Sequence, residues 1–376
     1  MNTGMDDFSP VWSIGFMSGT SLDAVDAAMI LTDGHRVLEF GPTAERTYTD
    51  VEREILAQAV RAARDWNWLG VKPEAEFEKA RKVLTQTHKD AFMDVIRQCS
   101  PSNRPVMAGV HGQTVLHRAP TEDRSGATLQ ILDQHALADA FGIPLFYDFR
   151  SADVAAGGQG APLAPIYHQA LCASLHGPVA VLNLGGVANL TFVSDSEPLL
   201  GFDCGPANGP IDEWVEGHGL GKFDENGRLA MAGTVHEGAL AGWLDNAWFG
   251  EALPKSLDRF DFSANLARGL SVEDGAASLT ALSASGVALG LKLFPKPVSR
   301  VIVCGGGRRN PALMNELRKR CPCRVVTAED MGWRGDSIEA EAFALLAVRS
   351  ARELPISFPG TTGVSEPMTG GRQVHV

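Results

Sequence analysis

The sequence predicts an α/β protein of two domains, each a mixed β-sheet with flanking helices. Three observations lead there. The chain has 376 residues, more than one hydrophobic core usually organises. Val11–Phe16 reads as a buried strand followed by a Gly/Ser/Thr turn and a returning strand at Ala27–Thr32. Val179–Leu184, Gly185-Gly186 and Ala188–Val193 repeat that grammar in the second half. Each pair then gains a third strand, Arg36–Phe40 in one half and Leu199–Phe202 in the other.

The remaining elements follow in order. Val51–Trp66 and Glu74–Arg97 repeat apolar residues at three- and four-residue spacing and read as helices. Pro105–Val110 is a strand ending in His111-Gly112-Gln113-Thr114. Thr128–Leu132 is a strand, His135–Phe141 a helix and Pro144–Tyr147 a strand. From Asp148 the texture becomes small and Gly-rich up to Leu163, as at a hinge or cleft floor, before the helical Pro165–Ser174. Helices dominate Pro210–Phe294. Ser299–Cys304 is a buried strand, Asn310–Arg320 a helix and Arg324–Thr327 a strand. A long helix runs from Ser337, its expected N-cap, to Leu354, and the Pro/Gly/Thr-rich tail is expected to be ordered only by packing. The expected domains are 1–148 with about 355–376, and 149–354.

Composition narrows the function. A hydrophobic share of 44% and a charged share of 21% suit a soluble globular chain. A formal net charge of −12 argues against nucleic acid or an anionic membrane surface as main partner. It leaves room for a phosphorylated ligand, because turn N–H groups and helix N-termini bind anions locally. The N-terminus lacks a signal-peptide pattern and no apolar run is long enough to span a bilayer. The six cysteines are scattered in mostly apolar contexts, so buried free thiols in a reducing cytoplasm are expected.

The chemistry gathers in four small-residue turns: Ser18–Asp26, Gly157–Pro162, Asn183–Gly186 and Gly305–Gly307. The Gly-x-Gly-x-x-Gly fingerprint and the Gly-Lys-Ser/Thr phosphate loop are both absent at strand ends. What remains is a paired-meander ATPase plan, in which hairpins of both domains grip the phosphates and the Gly305 loop holds the nucleoside.

Six segments stand in the order seen in anhydro-N-acetylmuramic acid kinases. They are Met17–Asp23, His111–Thr114, Gly157–Leu163, Leu182–Gly186, Gly201–Pro206 and Cys304–Gly307. The chain resembles that family, within the acetate/sugar kinase–Hsp70–actin superfamily, from about residue 13 to residue 350. Three positions depart from its pattern: Ala24 and Ala207 replace usual glycines, and Glu341 stands where a small or apolar residue is common. The resemblance implies an actin/hexokinase-like (ribonuclease H-like) fold with a cleft between the domains, ATP and Mg²⁺ as co-substrate and cofactor, and a homodimer.

The implied reaction opens 1,6-anhydro-N-acetylmuramic acid with water and phosphorylates O6 from ATP, as in peptidoglycan recycling. In the anhydro sugar O6 carries no proton, so the base must act on water. Asp203 is the expected base, with Glu339 as second carboxylate near the sugar and Asp212 supporting Asp203. ATP is expected at Gly19, Thr20, Ser21, Leu22, Asp23, Ala24, Val25 and Asp26, at Asn183, Gly185 and Gly186, and at Gly305, Gly306, Gly307 and Asn310. Asp23 and Asp26 are expected to hold Mg²⁺ through water. His111, Gln113, Thr114, Gln159, Gly160, Ala161 and Pro162 are the expected sugar contacts. The competing readings are a conventional sugar or acid kinase on the same fold and an ATP-driven conformational switch.

Overall fold

The structure, a computed structural model, describes residues 9–375 apart from 20, 122 and 258–260. The chain divides into two units, residues 1–173 with 337–376, and residues 174–336.

The first unit opens with β1 (Val11–Ser18), β2 (Ala24–Thr32) and β3 (Val37–Thr47), an antiparallel meander with Val11 opposite Thr32 and Ser18 opposite Val25. Helices α1 (Asp50–Trp66) and α2 (Glu74–Ile96) follow. Thr49 caps α1: its hydroxyl accepts from Glu52 N–H while the Glu52 carboxylate accepts from Thr49 N–H, which satisfies two otherwise orphaned donors. Strand β4 (Met107–Arg118) runs parallel to β1, and β5 (Ala127–Ile131) folds back on it. Helix α3 (Gln134–Phe141), β6 (Leu145–Tyr147), α4 (Ser151–Ala155) and α5 (Pro165–Leu171) complete this segment.

The second unit repeats the plan. β7 (Val179–Leu184), β8 (Val187–Val193) and β9 (Leu200–Pro206) form its meander. Helices α6 (Asn208–Gly217), α7 (Arg228–Ala232), α8 (Glu237–Leu244) and the small-residue-rich α9 (Val272–Leu291) follow. β10 (Arg300–Cys304), α10 (Pro311–Arg320) and β11 (Arg324–Thr327) end it. The chain then returns to the first unit through α11 (Ile338–Ala351), α12 (Pro359–Thr362) and β12 (Arg372–Val374).

The two sheets carry the duplication directly. One has the order β12-β6-β4-β1-β2-β3 with β5 beside β4, the other β11-β10-β7-β8-β9. In each, three antiparallel strands meet two parallel ones, β4 and β6 in the first and β10 and β11 in the second. That is the ribonuclease H-like strand plan expected from the sequence.

Several expectations change. Residues 149–173 and 337–354 belong to the first unit, not to a second domain beginning at 149. Close packing explains the return of 337–354: a Cβ on Gly15 would meet the backbone of Ala340, and one on Gly109 that of Phe343, so α11 lies directly on β1 and β4. Gly157–Pro162 is therefore part of the first unit. The tail has structure of its own, because β12 pairs antiparallel with β6. Ser337 precedes α11 but its side chain makes no capping bond. β4 continues through Arg118, which puts His111, Gln113 and Thr114 inside a strand. β9 likewise carries Asp203 within it.

Candidate active site

In the first unit the turn after β1 is tight. Leu22 N–H donates to Gly19 C=O at 3.3 Å and Leu22 adopts φ +56°. The side chains of Leu22 and Val25 sit in the core, so neither reaches out to a phosphate. Ser21 and Asp23 are exposed, and Asp26 is half-buried in β2. Thr20 lies outside the described residues. Arg53 braces the turn, donating to Leu22 C=O at 3.1 Å and standing 3.8 Å from Asp23.

Gln113, expected at the sugar, is fully buried and spends both ends on this turn. Its Oε1 accepts from Ser18 Oγ at 2.7 Å, and its Nε2 donates to Gly19 C=O at 3.3 Å. Ser18 also shares a 2.9 Å bond with the Tyr48 hydroxyl. Thr114 Oγ1 accepts from Gln130 on β5 at 3.1 Å.

His111 faces a charge the sequence reading missed. Arg150 Nε and Nη2 both stand 3.0–3.1 Å from His111 Nε2. A guanidinium can only donate, so Nε2 is the bare nitrogen and the imidazole proton sits on Nδ1. Burial, reinforced by the Arg150 charge, holds the His111 pKa well below its usual value, so the ring is neutral. His111 also lines a cavity of about 120 Å³ with Gln130, Tyr147 and Asp148. Arg150 Nη1 donates to Gly160 C=O at 2.7 Å. Burial lowers the Arg150 pKa to about 10, with Glu339 and Asp153 acting the other way.

Glu339 stands in the first turn of α11. Its side chain is exposed by area, yet desolvation pushes its carboxyl above the usual range, and the Arg150 charge opposes this. Two residues on, Glu341 is fully buried and accepts from the Tyr167 hydroxyl at 2.5 Å, which lets a carboxyl occupy a core position.

In the second unit Asp203 sits opposite Asn189 on the neighbouring strand. Asn189 Nδ2 donates to its Oδ1 at 3.0 Å, and Leu257 N–H donates to its Oδ2 at 2.9 Å. Burial raises the Asp203 pKa, while those two donors favour the ionised form. Each oxygen keeps a second lone pair, so the carboxylate can still accept a proton. Lys255 anchors the strap that carries Leu257. Its Nζ donates to the carbonyls of Trp248 and Phe249 at 3.0 Å each, over the Trp248 ring, and its own C=O accepts from Asp203 N–H at 3.1 Å.

The Gly185-Gly186 turn is braced from the start of α6. Asn208 Nδ2 donates to Gly185 C=O at 2.8 Å and to Leu184 C=O at 3.2 Å. Gly305 packs against the same hairpin with φ +75°; a Cβ there would collide with Asn183 Oδ1 and lie 2.7 Å from Leu184 C=O. Arg308 pins the Gly305 loop from behind, donating to Gly305 C=O at 2.9 Å and pairing with Glu329 and Asp336. Gly306, Asn310, Asn208, Asp212 and the exposed Phe223 line a cavity of about 420 Å³. Asn310 spends its Oδ1 on capping α10 through Ala312 and Leu313 N–H.

Within the second unit, then, the Gly305–Gly307 loop packs against the hairpin of Asn183, Gly185 and Gly186. Within the first, His111 and Gly160 meet at Arg150. Arg150, Asn189, Asn208 and Arg308 are the positioning side chains that the sequence reading passed over. Asn189 had a signal, as an amide in a mostly apolar strand. The arginines had none short of three-dimensional contact.

Comparison with known proteins completes this picture. The family model described as anhydro-N-acetylmuramic acid kinase matches residues 11–375. A Caulobacter vibrioides protein named anhydro-N-acetylmuramic acid kinase is 51% identical, covering 96% of this chain and 98% of its own. Proteins of the same name from Rhizobium rhizogenes and Brucella anthropi are 48% and 47% identical, covering 96–97% of this chain and 99% of theirs. With a match of that length and identity along it, the chain belongs to the anhydro-N-acetylmuramic acid kinase family.

Proposed function

We propose that this chain opens 1,6-anhydro-N-acetylmuramic acid with water while transferring the γ-phosphoryl group of ATP to O6. The products are N-acetylmuramic acid 6-phosphate and ADP, a step of peptidoglycan recycling. Family membership supports the substrate, and the setting of Asp203 carries the mechanism. A carboxyl whose pKa is raised by burial is a stronger base than a solvated aspartate, and two donors keep it oriented. Asp203 takes a proton from water as the water oxygen bonds to the anomeric carbon. The bond from that carbon to O6 breaks, and O6 bonds to the γ-phosphorus as ADP leaves.

The remaining roles follow the two units. The turn after β1 and the Gly185-Gly186 hairpin hold phosphates through the backbone N–H groups their own bonds leave open, and the Gly306–Asn310 cavity takes the nucleoside. Gln113 positions the phosphate turn instead of touching sugar. His111, Arg150, Glu339 and the Gln159–Pro162 loop belong to the sugar end. Among the described residues no cluster of three or more metal-ligating side chains is present. That fits a Mg²⁺ held largely by phosphate oxygens and water, with exposed Asp23 and half-buried Asp26 as outer ligands. Mg²⁺ so bound neutralises phosphoryl charge.

The protein acts as a homodimer in the cytoplasm on this reading. None of the six cysteines is in a disulfide, which suits a reducing compartment. No described helix is long and apolar enough to cross a membrane. The test is a coupled assay with purified anhydro sugar and ATP. Sugar-dependent ADP release supports the reading, and ADP release indifferent to the sugar would favour the conformational switch.

A further inference from the structure

The sugar-end loop Gly157–Leu163 is held by the C-terminal segment through one buried pair. Asp153, at the middle of α4, is 2% exposed, and Thr362, the last residue of α12, is fully buried. Thr362 Oγ1 donates to Asp153 Oδ2 at 2.5 Å, and the other carboxylate oxygen, Oδ1, accepts from Gly160 N–H at 2.6 Å. Thr362 also uses its backbone, its C=O accepting from Gln159 N–H at 2.7 Å. Gly158 is enclosed by the same neighbours: a Cβ there would meet Asp153 and lie 2.6 Å from Val364 Cγ1. The chain of bonds continues past the loop. Gly160 C=O accepts from Arg150 Nη1, and Arg150 donates on to His111 Nε2.

From these contacts we infer that Thr362 and Asp153 are positioning residues: a latch from the C-terminal segment that sets the Gln159–Pro162 loop and Arg150 for sugar binding. The inference rests on the sugar-end assignment above, yet the latch itself is a structural relation that can be read without turnover. Without the Thr362 hydroxyl, Asp153 Oδ2 loses that donor in a buried setting, which destabilises the carboxylate in the position from which its Oδ1 holds the Gly160 amide. Loop and guanidinium then lose their common reference. The phosphate turn after β1 shares none of these bonds, so ATP binding should be indifferent to them.

The experiment uses the full chain with Thr362→Val, Thr362→Ala and Thr362→Ser. Thr362→Val should raise KM for the anhydro sugar about tenfold while KM for ATP stays within about twofold, in line with one lost buried hydrogen bond. Thr362→Ser keeps the hydroxyl and should restore the sugar KM. Amide hydrogen exchange at Gln159 and Gly160 should quicken about tenfold in Thr362→Val, with Gly19–Asp26 unchanged. If the valine variant folds poorly, Thr362→Ala removes the donor without adding apolar bulk and carries the same expectation. Unchanged exchange at Gln159 and Gly160, equal movement of both KM values, or no recovery in Thr362→Ser each overturns the latch. A wild-type protein inert toward the anhydro sugar would refute the function instead, and the exchange data would still decide the latch.

Discussion

Asn189 and Asp203 face each other across β8 and β9, and the Asn189 side-chain amide donates to Asp203 Oδ1 at 3.0 Å. That bond favours the ionised carboxylate, whereas burial of Asp203 favours the protonated one and raises its pKa. A base works only when ionised, so activity falls as pH drops through this raised pKa. The acidic limb of kcat/KM should therefore lie above the ordinary aspartate range. In Asn189→Ala the carboxylate loses a donor, its pKa rises further and the limb moves to higher pH. A limb that stays put, or moves down, would detach Asn189 from the titrating group.

Replacing the base itself is more severe. Asp203→Asn keeps the shape of the side chain and removes its capacity to accept a proton. Positioned general bases contribute about 10²–10⁴-fold, so kcat should fall by roughly a thousandfold with ATP affinity unchanged. Steady-state kinetics with nucleotide binding measured by calorimetry checks this. Turnover within about tenfold of wild type would remove Asp203 from the role.

The Gly185-Gly186 hairpin depends on a residue without a side chain. At Gly305 φ is +75°, and a Cβ would strike Asn183 Oδ1 and crowd Leu184 C=O at 2.7 Å. Gly305→Ala has to strain its backbone and push the hairpin away, at about 2 kcal/mol or more. KM for ATP should rise on the order of tenfold and the unfolding midpoint should drop. An alanine variant with wild-type values on both counts would show that the loop and the hairpin are not held in this contact.

Much of this was legible beforehand because it follows from local pattern. The repeated strand–turn–strand grammar at Val11 and Val179 was a statement about backbone and periodicity, and both sheets follow it in the same order. The Gly305 loop announced itself as three glycines at the end of an apolar strand. Gln113 illustrates what pattern does not carry. His111-Gly112-Gln113-Thr114 looks like a strand-end motif, yet β4 runs on to Arg118, which buries Gln113 and turns both its polar atoms toward Ser18 and Gly19. The division of the chain was misread for a related reason. Helix α11 is more than 200 residues distant in sequence from the strands it covers, and contacts in three dimensions, such as the close approach at Gly15 and Gly109, assign it to the first unit. Arg150 and Thr362 act through contacts that join segments far apart along the chain, to which neither periodicity nor composition is sensitive.

The central claim is that water, activated at Asp203, ends up on the sugar. Turnover of 1,6-anhydro-N-acetylmuramic acid and ATP in ¹⁸O-water, quenched early and analysed by mass spectrometry, tests it most directly. Unlabelled product incubated in the same water corrects for exchange at the anomeric hydroxyl. The hydrolytic mechanism predicts one ¹⁸O on the sugar phosphate beyond that control and none on ADP. Sugar phosphate formed without label would contradict it.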